Sequence, residues 1–301
     1  MELHQLRYFI SIVETGSFSK AARRCHIAQP SLSQQIIKLE RELKSKLFDR
    51  LGNKVVLTEA GTALLPRAKR IMQEALKVKA DIADERSIDT GCISVGFITT
   101  IAPYLLPESL KKFKKKFPNA DIKVYENLTE NLVEKLIAFE IDIAVMSLPI
   151  ENALVGYNEL FIDPLLLSVP KSFKLSKQKK VSINDLKNVS FIELDEQHCL
   201  GEQIKGICYQ QQMTPDTVCK TWNISTILNC VATGTGIAII PLMTALTNKS
   251  KSYVYKKLSE NPSRAVVSAF YKKRTRKELI IEFEKIIVEV YKDLIHKNPK
   301  Y

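Results

Sequence analysis

Apolar positions along the chain recur with three different periods, and each period predicts its own kind of element. Leu3, Leu6, Phe9, Ile10 and Val13 lie on one stripe at helical spacing, which predicts a helix from about Leu3 to Glu14. Gly16 ends that helix, and Ser17 or Ser19 stands where it can cap the next. Phe18, Ala21, Ala22 and Cys25 form the buried face of a short second helix, with Cys25 as a small core residue. Pro30 suits the first turn of a third helix, where its missing N–H costs nothing, and Leu32, Ile36, Leu39, Leu43 and Leu47 continue it. Farther on, Leu64, Ala68, Ile71, Ala75, Val78 and Ile82 alternate spacings of four and three, a heptad seam on a long helix from about Glu59 to Glu85. Such a seam pairs with another chain or lies on its own domain, and the 3.5-residue repeat favours pairing. Ser87 to Gly91 breaks the periodicity as a hinge.

From Cys92 the pattern changes to short apolar strands alternating with helical stripes. Ile93 to Phe97, Ile122 to Tyr125 and Ile141 to Met146 read as strands, and Pro107 to Phe117 and Asn131 to Phe139 as the helices between them. This βαβ alternation predicts a mostly parallel sheet. Leu165 to Val169 is a further strand that opens a second lobe, which holds Phe191 to Leu194, Val218 to Trp222 and Ile237 to Ile240. Ala265 to Tyr271 returns to the first lobe, and Leu279 to Ile295 is a closing amphipathic helix. The expected organisation is a helical head over 1–60, a linker helix over 61–88 and a two-lobed α/β sensor domain over 89–301, with a cleft between its lobes.

Composition narrows the class. The 301 residues are 45% apolar, enough for packed cores. Met1 to Gln5 has no signal-peptide pattern and no apolar run reaches a membrane span, so a cytoplasmic protein with no membrane partner is expected. In that compartment six cysteines point to free or redox-active thiols rather than a disulfide scaffold. The net charge of +12 favours a polyanionic partner. Ten basic residues face five acidic ones from Met1 to Thr58, so the density is higher at the front. The run Lys272 to Lys277 reads as a solvated turn.

Two helices joined by a tight turn, the second opening with small polar residues, make a helix-turn-helix pattern. The opening turn of the second enters the major groove of double-stranded DNA. Its face offers Gln29, Pro30, Ser31, Ser33, Gln34 and Lys38. Gln pairs with adenine, Ser with several bases and Lys with phosphate or guanine. Arg50, Asn53, Lys54 and Val55 to Thr58 follow as a short basic wing. The plain alternative is a three-helix core with a hydrophilic face; the agreement of several features favours DNA.

Leu6-Arg7-Tyr8-Phe9, Gly16-Ser17-Phe18-Ser19-Lys20-Ala21-Ala22, Gln29-Pro30-Ser31-Leu32-Ser33-Gln34-Gln35-Ile36 and Leu57-Thr58-Glu59-Ala60-Gly61 together resemble the LysR-type transcriptional regulators. The resemblance covers the first 61 residues almost without gaps. It implies a winged helix-turn-helix, a long dimerising helix and a ligand-sensing domain of the periplasmic-binding-protein type. It further implies a homodimer or homotetramer that acts at promoters with RNA polymerase, as an activator and not an enzyme, without cofactor.

One stretch remains, His198 to Cys208, in which two cysteines stand nine positions apart and a histidine precedes the first. Leu200, Ile204 and Ile207 form an apolar stripe, so the segment reads as a helix. In a helix the two cysteines are separated by about 13.5 Å of rise and roughly half a turn, whereas a disulfide needs Cα atoms within about 7 Å. The thiols can bond only if the helix melts, and Gly201 and Gly206 ease that by weakening it. The alternatives are two cysteines used as core filler and, with no Cys-x-x-Cys or His-x-x-x-His spacing, a zinc site; no metal is expected.

Within the LysR-type family this segment resembles the peroxide-sensing OxyR group. Thr100, followed by Ala102 to Pro107, and Thr129 match that group's pocket threonines, Gln203 keeps its place, and Arg264 falls where a pocket arginine is expected. Gln197, Gly201-Glu202 and Val218 depart from the pattern. The resemblance implies that hydrogen peroxide is the signal. Cys199 is then the sensing thiol, Cys208 resolves it, and His198, Arg264 or a helix N-terminus lowers the Cys199 pKa. Oxidative-stress genes would be the targets. The other reading within the family is a small carboxylate-like inducer bound in the inter-lobe cleft.

Overall fold

The computed structural model describes residues 1–51, 54–84, 91–273 and 278–298. The chain divides into a first compact unit made chiefly of Met1–Arg86 and a second that holds Ser87–Ile137 and Ile141–Tyr301.

In the first unit α1 (Leu3–Thr15), α2 (Phe18–Arg24) and α3 (Gln29–Leu43) precede a two-stranded wing, β1 (Phe48–Leu51) and β2 (Lys54–Leu57), and then α4 (Glu59–Asp84). Gly16 closes α1 at φ 63, a left-handed value that glycine tolerates, and Ser17 caps α2 by accepting from the Lys20 N–H. Leu6, Phe9, Ile12, Ala21, Ala22, Leu32, Ile36 and Leu39 meet in one core. The buried Glu40 carboxylate holds the start of the wing, accepting from Leu47 N at 2.9 Å and from Lys46 Nζ at 2.9 Å. Gly61 is required in α4, because a Cβ there would overlap the Leu47 carbonyl oxygen.

The heptad seam is only partly free for a partner. Ala68 is fully buried in the core of its own unit, and Leu64, Ile71 and Met72 pack against that core. The side chains of Val78 and Ile82, and the hinge residues 87–90, lie outside what is described, as do Asn53 and 274–277.

The second unit is built on a seven-stranded sheet whose strands are β3 (Cys92–Ile98), β4 (Asp121–Asn127), β5 (Ile143–Ser147), β6 (Val155–Pro170), β9 (Ala238–Pro241), β10 (Tyr253–Lys257) and β11 (Ser263–Tyr271). They lie in the order β10-β6-β11-β5-β3-β4, with β9 also paired to β6. A separate parallel pair joins β7 (Ser190–Leu194) to β8 (Asp216–Thr221). The helices are α5 (Ala102–Lys116), α6 (Thr129–Ile137), α7 (Cys199–Gln210), α8 (Ile224–Ala232), α9 (Leu242–Thr247) and α10 (Glu278–His296). Two apolar cores result. One gathers β3, β5, α5, α6 and α10 around Phe97, Phe113 and Phe283, and the other gathers β7, α7, α8 and β9 around Phe191, Leu228 and Ile239.

The sheet is mixed rather than mostly parallel. Only β3 pairs in parallel, with β4 and β5; β11 runs antiparallel to both β5 and β6, and β6 antiparallel to β9 and β10. The cause is the crossing pair: β6 carries the chain out to the second lobe and β11 brings it back, so the two strands must oppose one another. Leu165 to Val169 is therefore the end of a sixteen-residue strand and not the start of a short one. Its first half alternates half-buried and exposed residues and includes Gly156 and Asn158, a weak strand signal. Likewise α5 starts at Ala102, with Pro103 in the first turn and Pro107 a turn inside.

Candidate functional site

The site around Cys199 is set by the end of β7. Asp195 N donates to Thr221 O of β8 at 2.9 Å, which fixes where the chain leaves the strand. The Asp195 side chain then accepts from Gln197 N at 3.0 Å, and its carbonyl accepts from His198 N at 3.0 Å. His198 is the N-cap residue of α7 and Cys199 its first helical residue. Gly201 lets the helix start this close to the strand, since a Cβ there would lie 2.6 Å from the carbonyl oxygens of both Leu194 and Asp195.

The helix is continuous from Cys199 to Gln210, and both cysteines are free thiols on different faces. Leu200, Ile204 and Cys208, at i, i+4 and i+8, are buried in the second lobe's core, while Ile207 is half-buried beside it. Cys199 and Gln203, also at i and i+4, turn to the first lobe. Cys199 packs against that lobe's core, and its sulfur lies 3.2 Å from Ser147 Oγ at the end of β5. Gln203 Nε2 donates to the Leu148 carbonyl, and Gln203 Oε1 is buried without a partner among the described residues. Burial, with a contribution from Glu193, pushes the Cys208 thiol up to about 11, so it holds its proton at neutral pH.

His198 is buried and its Nδ1 stands 3.1 Å from Thr99 Oγ1, with the ring edge-on to Trp222 at 5.3 Å. Burial lowers its pKa against the opposing pull of Asp195 and of the Trp222 backbone. The ring is therefore neutral at pH 7 and supplies no positive charge to the next residue.

Arg264 is also committed elsewhere. Its guanidinium is wholly buried and donates from Nε to Asp163 Oδ2 at 3.1 Å, from one terminal nitrogen to Thr100 Oγ1 at 2.9 Å and from the other to Thr100 O at 3.2 Å. Met243 N at 3.3 Å and Tyr291 Oη at 3.4 Å donate to the other oxygen of Asp163. Cys199 is the first helical residue of α7, at the helix end whose N–H groups and dipole attract anions. Thr99 and Thr100 are consecutive, so the His198 and Arg264 clusters are joined through one turn after β3. Thr129 opens α6 with a buried hydroxyl that has no partner among the described residues. Among the described residues no hydrogen bond links Thr100, Thr129 or Arg264 to Cys199. A hollow of about 450 Å³ opens beside these clusters, lined by Thr99, Thr100, Tyr104, Glu126, Trp222 and Asn248 among others.

In the first unit α3 presents Gln29, Pro30, Ser31, Gln34 and Lys38 exposed, with Ser33 half-buried. Gln29 Nε2 donates to Ser33 Oγ at 3.0 Å, one turn on. Arg50 and Lys54 are paired with Val55 and Leu51 across the wing. Thr58 stands apart, because its hydroxyl donates to Lys46 O at 2.6 Å and accepts from Gly61 N at 3.0 Å. It caps α4 and ties the wing to that helix.

Residues 3–62 match the bacterial regulatory helix-turn-helix of the lysR family, and residues 88–292 match the LysR substrate binding domain. The chain belongs to the LysR family. Among curated LysR-type relatives, the hydrogen peroxide-inducible genes activator of Pectobacterium carotovorum is 30% identical over 84% of this chain and 84% of its own length. The DNA-binding transcriptional dual regulator OxyR of Escherichia coli K12 is 30% identical over 81% of this chain and 80% of its own. A full-length OxyR variant from Pseudomonas aeruginosa superposes with a TM-score of 0.74 at 25% identity, covering 96% of this chain and 94% of that one. This LysR-type regulator thus has an N-terminal winged helix-turn-helix and a two-lobed α/β domain, as its motifs imply.

Of the residues singled out in the sequence, the regulator brings His198 and Cys199 to one helix start and Thr100 to Arg264. Cys208 lies on the far side of α7. Ser147, Thr99, Asp163 and Trp222 were not singled out. Each reaches the site from an element distant in the chain, and no local pattern marks which residue of a strand or turn will meet Cys199, His198 or Arg264. Among the described residues no cluster of three or more His, Cys, Asp or Glu is placed to hold a metal, and no helix is long and apolar enough to cross a membrane.

Proposed function

We propose that this LysR-type regulator senses hydrogen peroxide through a reversible Cys199–Cys208 thiol/disulfide switch and controls oxidative-stress genes from the cytoplasm. One observation carries the reading: α7 is anchored in one lobe through Leu200, Ile204 and Cys208 and reaches the other through Cys199 and Gln203. Cys199 gives up its proton and attacks a peroxide oxygen, the O–O bond breaks, and the departing hydroxide takes a proton and leaves as water, giving a sulfenic acid. Ser147 Oγ, at 3.2 Å, stands ready to hydrogen-bond the sulfur or its oxygen. Cys208 then attacks that sulfur and a second water leaves. Because the thiols start about 13.5 Å apart along the axis, closing the disulfide must unwind α7. Unwinding separates Cys199 from Ser147 and Gln203 from Leu148, and it frees Leu200 and Ile204 from their packing. The surface that the sensor lobe offers to another copy of the chain changes with it. The names of the Pectobacterium and E. coli relatives support peroxide as the signal.

The output is promoter binding by Gln29, Pro30, Ser31, Ser33, Gln34 and Lys38, with Arg50 and Lys54 on the backbone, in a homodimer or homotetramer that engages RNA polymerase without enzymatic turnover. Pairing uses the α4 face around Ala75, which opens on a hollow of about 710 Å³ beside Leu3, Ile10 and Met72. A carboxylate-like inducer in the cleft fits less well. The lining residues there include Glu126 and no lysine or arginine, and Arg264 is already paired with Asp163.

The deciding measurement is operator footprinting combined with thiol alkylation in denaturant, after the peroxide is quenched, and mass spectrometry, before and after peroxide. Wild type is expected to lose alkylation at Cys199 and Cys208 together while its footprint changes. Cys199→Ser is expected to bind DNA and ignore peroxide, and Cys208→Ser to form the sulfenic acid without locking. A footprint change with both thiols still fully alkylated would overturn the switch.

A further inference from the structure

A second hollow in the sensor unit, of about 640 Å³, opens where β10 meets the ends of α9 and α10. It shares no lining residue with the one beside Thr99 and Trp222. Four consecutive residues of β10, Tyr253 to Lys256, line it. Successive side chains of a strand point to opposite faces, so a hollow that touches all four runs along the strand's edge. β10 ends the sheet order and has β6 on one side only. Four lysines surround that edge: Lys256 on β10, Lys171 just past β6, Lys249 just past α9 and Lys297 just past α10. No aspartate or glutamate is among the lining residues. Among the described residues none of the four is in an ion pair, and Lys256 Nζ donates to a neutral acceptor, Gln178 O, at 2.9 Å. Asp293, one turn before Lys297, is held by Lys112 at 2.7 Å. Elsewhere in the unit Lys116, Lys205 and Lys220 each lie within 2.7 Å of a carboxylate. A recess lined by one sign of charge concentrates ions of the other.

Carbonyls that would oppose an anion are covered. The last carbonyls of a helix form its negative end. Here Asn248 Nδ2 donates to Thr244 O at 2.9 Å and Asn298 Nδ2 to Leu294 O at 3.1 Å. Tyr255 Oη donates to Asn248 O, and its ring meets that of Tyr253 edge-on at 5.4 Å. Lys249 and Lys297 by themselves would be helix-end cations. Lys171 and Lys256 are not at helix ends. Lys171 N donates to Ser252 O at 2.9 Å, so Lys171 and Lys256 stand four residues, or about 14 Å, apart along β10.

We infer that this hollow binds a chain of linked phosphates, either free or carried on a nucleoside. A single phosphate is too compact to meet lysines spread over that length. A linear triphosphate extends along the strand edge, and the flexible lysine stems close the remaining distance. Lysine offers a point charge on a mobile stem, with no rigid fork to match one planar carboxylate. The volume is that of a small-molecule pocket. The site uses none of the residues assigned to peroxide or to DNA.

Binding of sodium tripolyphosphate, ATP and orthophosphate to the reduced full-length protein is measured by calorimetry at about 0.15 M ionic strength, where exposed charges are screened beyond about 8 Å. The DNA-binding head is itself basic, so each titration is paired with lysine acetylation read by mass spectrometry. Tripolyphosphate is expected to bind about tenfold or more tighter than orthophosphate, and to protect Lys171 and Lys256 before Lys38 and Lys54. Lys171→Gln with Lys256→Gln is expected to weaken it by about tenfold or more. Lys179→Gln with Lys180→Gln, an equal loss of charge at exposed positions outside the hollow, is expected to leave it unchanged. ATP binding tighter than tripolyphosphate assigns the site to nucleotides, and the reverse or equality assigns it to the free chain. The inference is overturned if orthophosphate binds as well as tripolyphosphate, if protection appears first in the DNA-binding head, or if the two double variants weaken binding alike.

Discussion

Arg264 and Asp163 are each fully buried, and such pairs behave asymmetrically under mutation. Removing the cation alone leaves an uncompensated carboxylate in the core of the sensor unit. Arg264→Ala is therefore expected to cost about 3–5 kcal/mol in urea denaturation, and Arg264→Met with Asp163→Leu much less. A loss under about 1 kcal/mol for the single change would mean that water reaches Asp163. His198 gives a pH dependence. Its folded pKa lies below the ordinary histidine value, so its stabilising contribution is complete above about 6.5 and is lost as pH falls from there through the lowered folded pKa. The arrangement of Thr99, His198 and Trp222 is expected to loosen in mild acid, read by NMR of the imidazole and abolished in His198→Asn. The neutral ring also means that a histidine adjacent in sequence brings no positive charge to Cys199. Adjacency was visible in the chain; burial was not.

At the scale of elements, the proposed switch rests on α7, whose two glycines differ. Gly201 is wedged against two carbonyl oxygens, whereas a Cβ at Gly206 would meet nothing within 4 Å. Gly206→Ala is expected to stabilise the reduced helix by about 1 kcal/mol. That makes the Cys199–Cys208 disulfide easier to reduce, raising its potential by about 20 mV in a glutathione redox titration. An unchanged or lowered potential would mean that the helix does not unwind on oxidation. Gly201→Ala is expected instead to displace the helix start from β7 and weaken the unit. The Cys208 thiol, pushed up to about 11, is expected to resist alkylation at pH 7–9 and to react only as pH rises toward that value or the helix opens. Helix α4 gives the complementary lesson. Its stripe shows a helix that buries one face, but the first half of that face is filled by its own unit's core.

For the whole molecule, the polar face of α3 and the wing predict separable contributions to DNA binding. Gln29→Ala or Ser33→Ala is expected to cost about 1–3 kcal/mol on the operator for each base no longer read, and little on other sequences. Lys54→Ala is expected to weaken all sequences alike and to flatten the salt dependence of binding. Equal operator preference in wild type and Ser33→Ala would remove Ser33 as a base reader. Ala75→Glu, which puts a charge on the proposed pairing face of α4, is expected to abolish dimerisation and tight binding to a two-fold site. Sedimentation of a mutant that is still dimeric at micromolar concentration would exclude that face.

The first unit was legible because its signals are local. Caps at Gly16 and Ser17, a helical stripe from Leu32 to Leu39 and a polar first turn at Gln29 to Ser33 each act over one or two turns. The helical state of α7, and the separation it imposes on Cys199 and Cys208, were local in the same way. Tertiary structure alone decided the crossing of β6 and β11, the burial of Arg264 against Asp163, and the arrival of Ser147 at the Cys199 sulfur. These depend on which residues meet when strands far apart in the chain are paired. Strand pairing depends on the whole chain's burial, which no single stretch encodes.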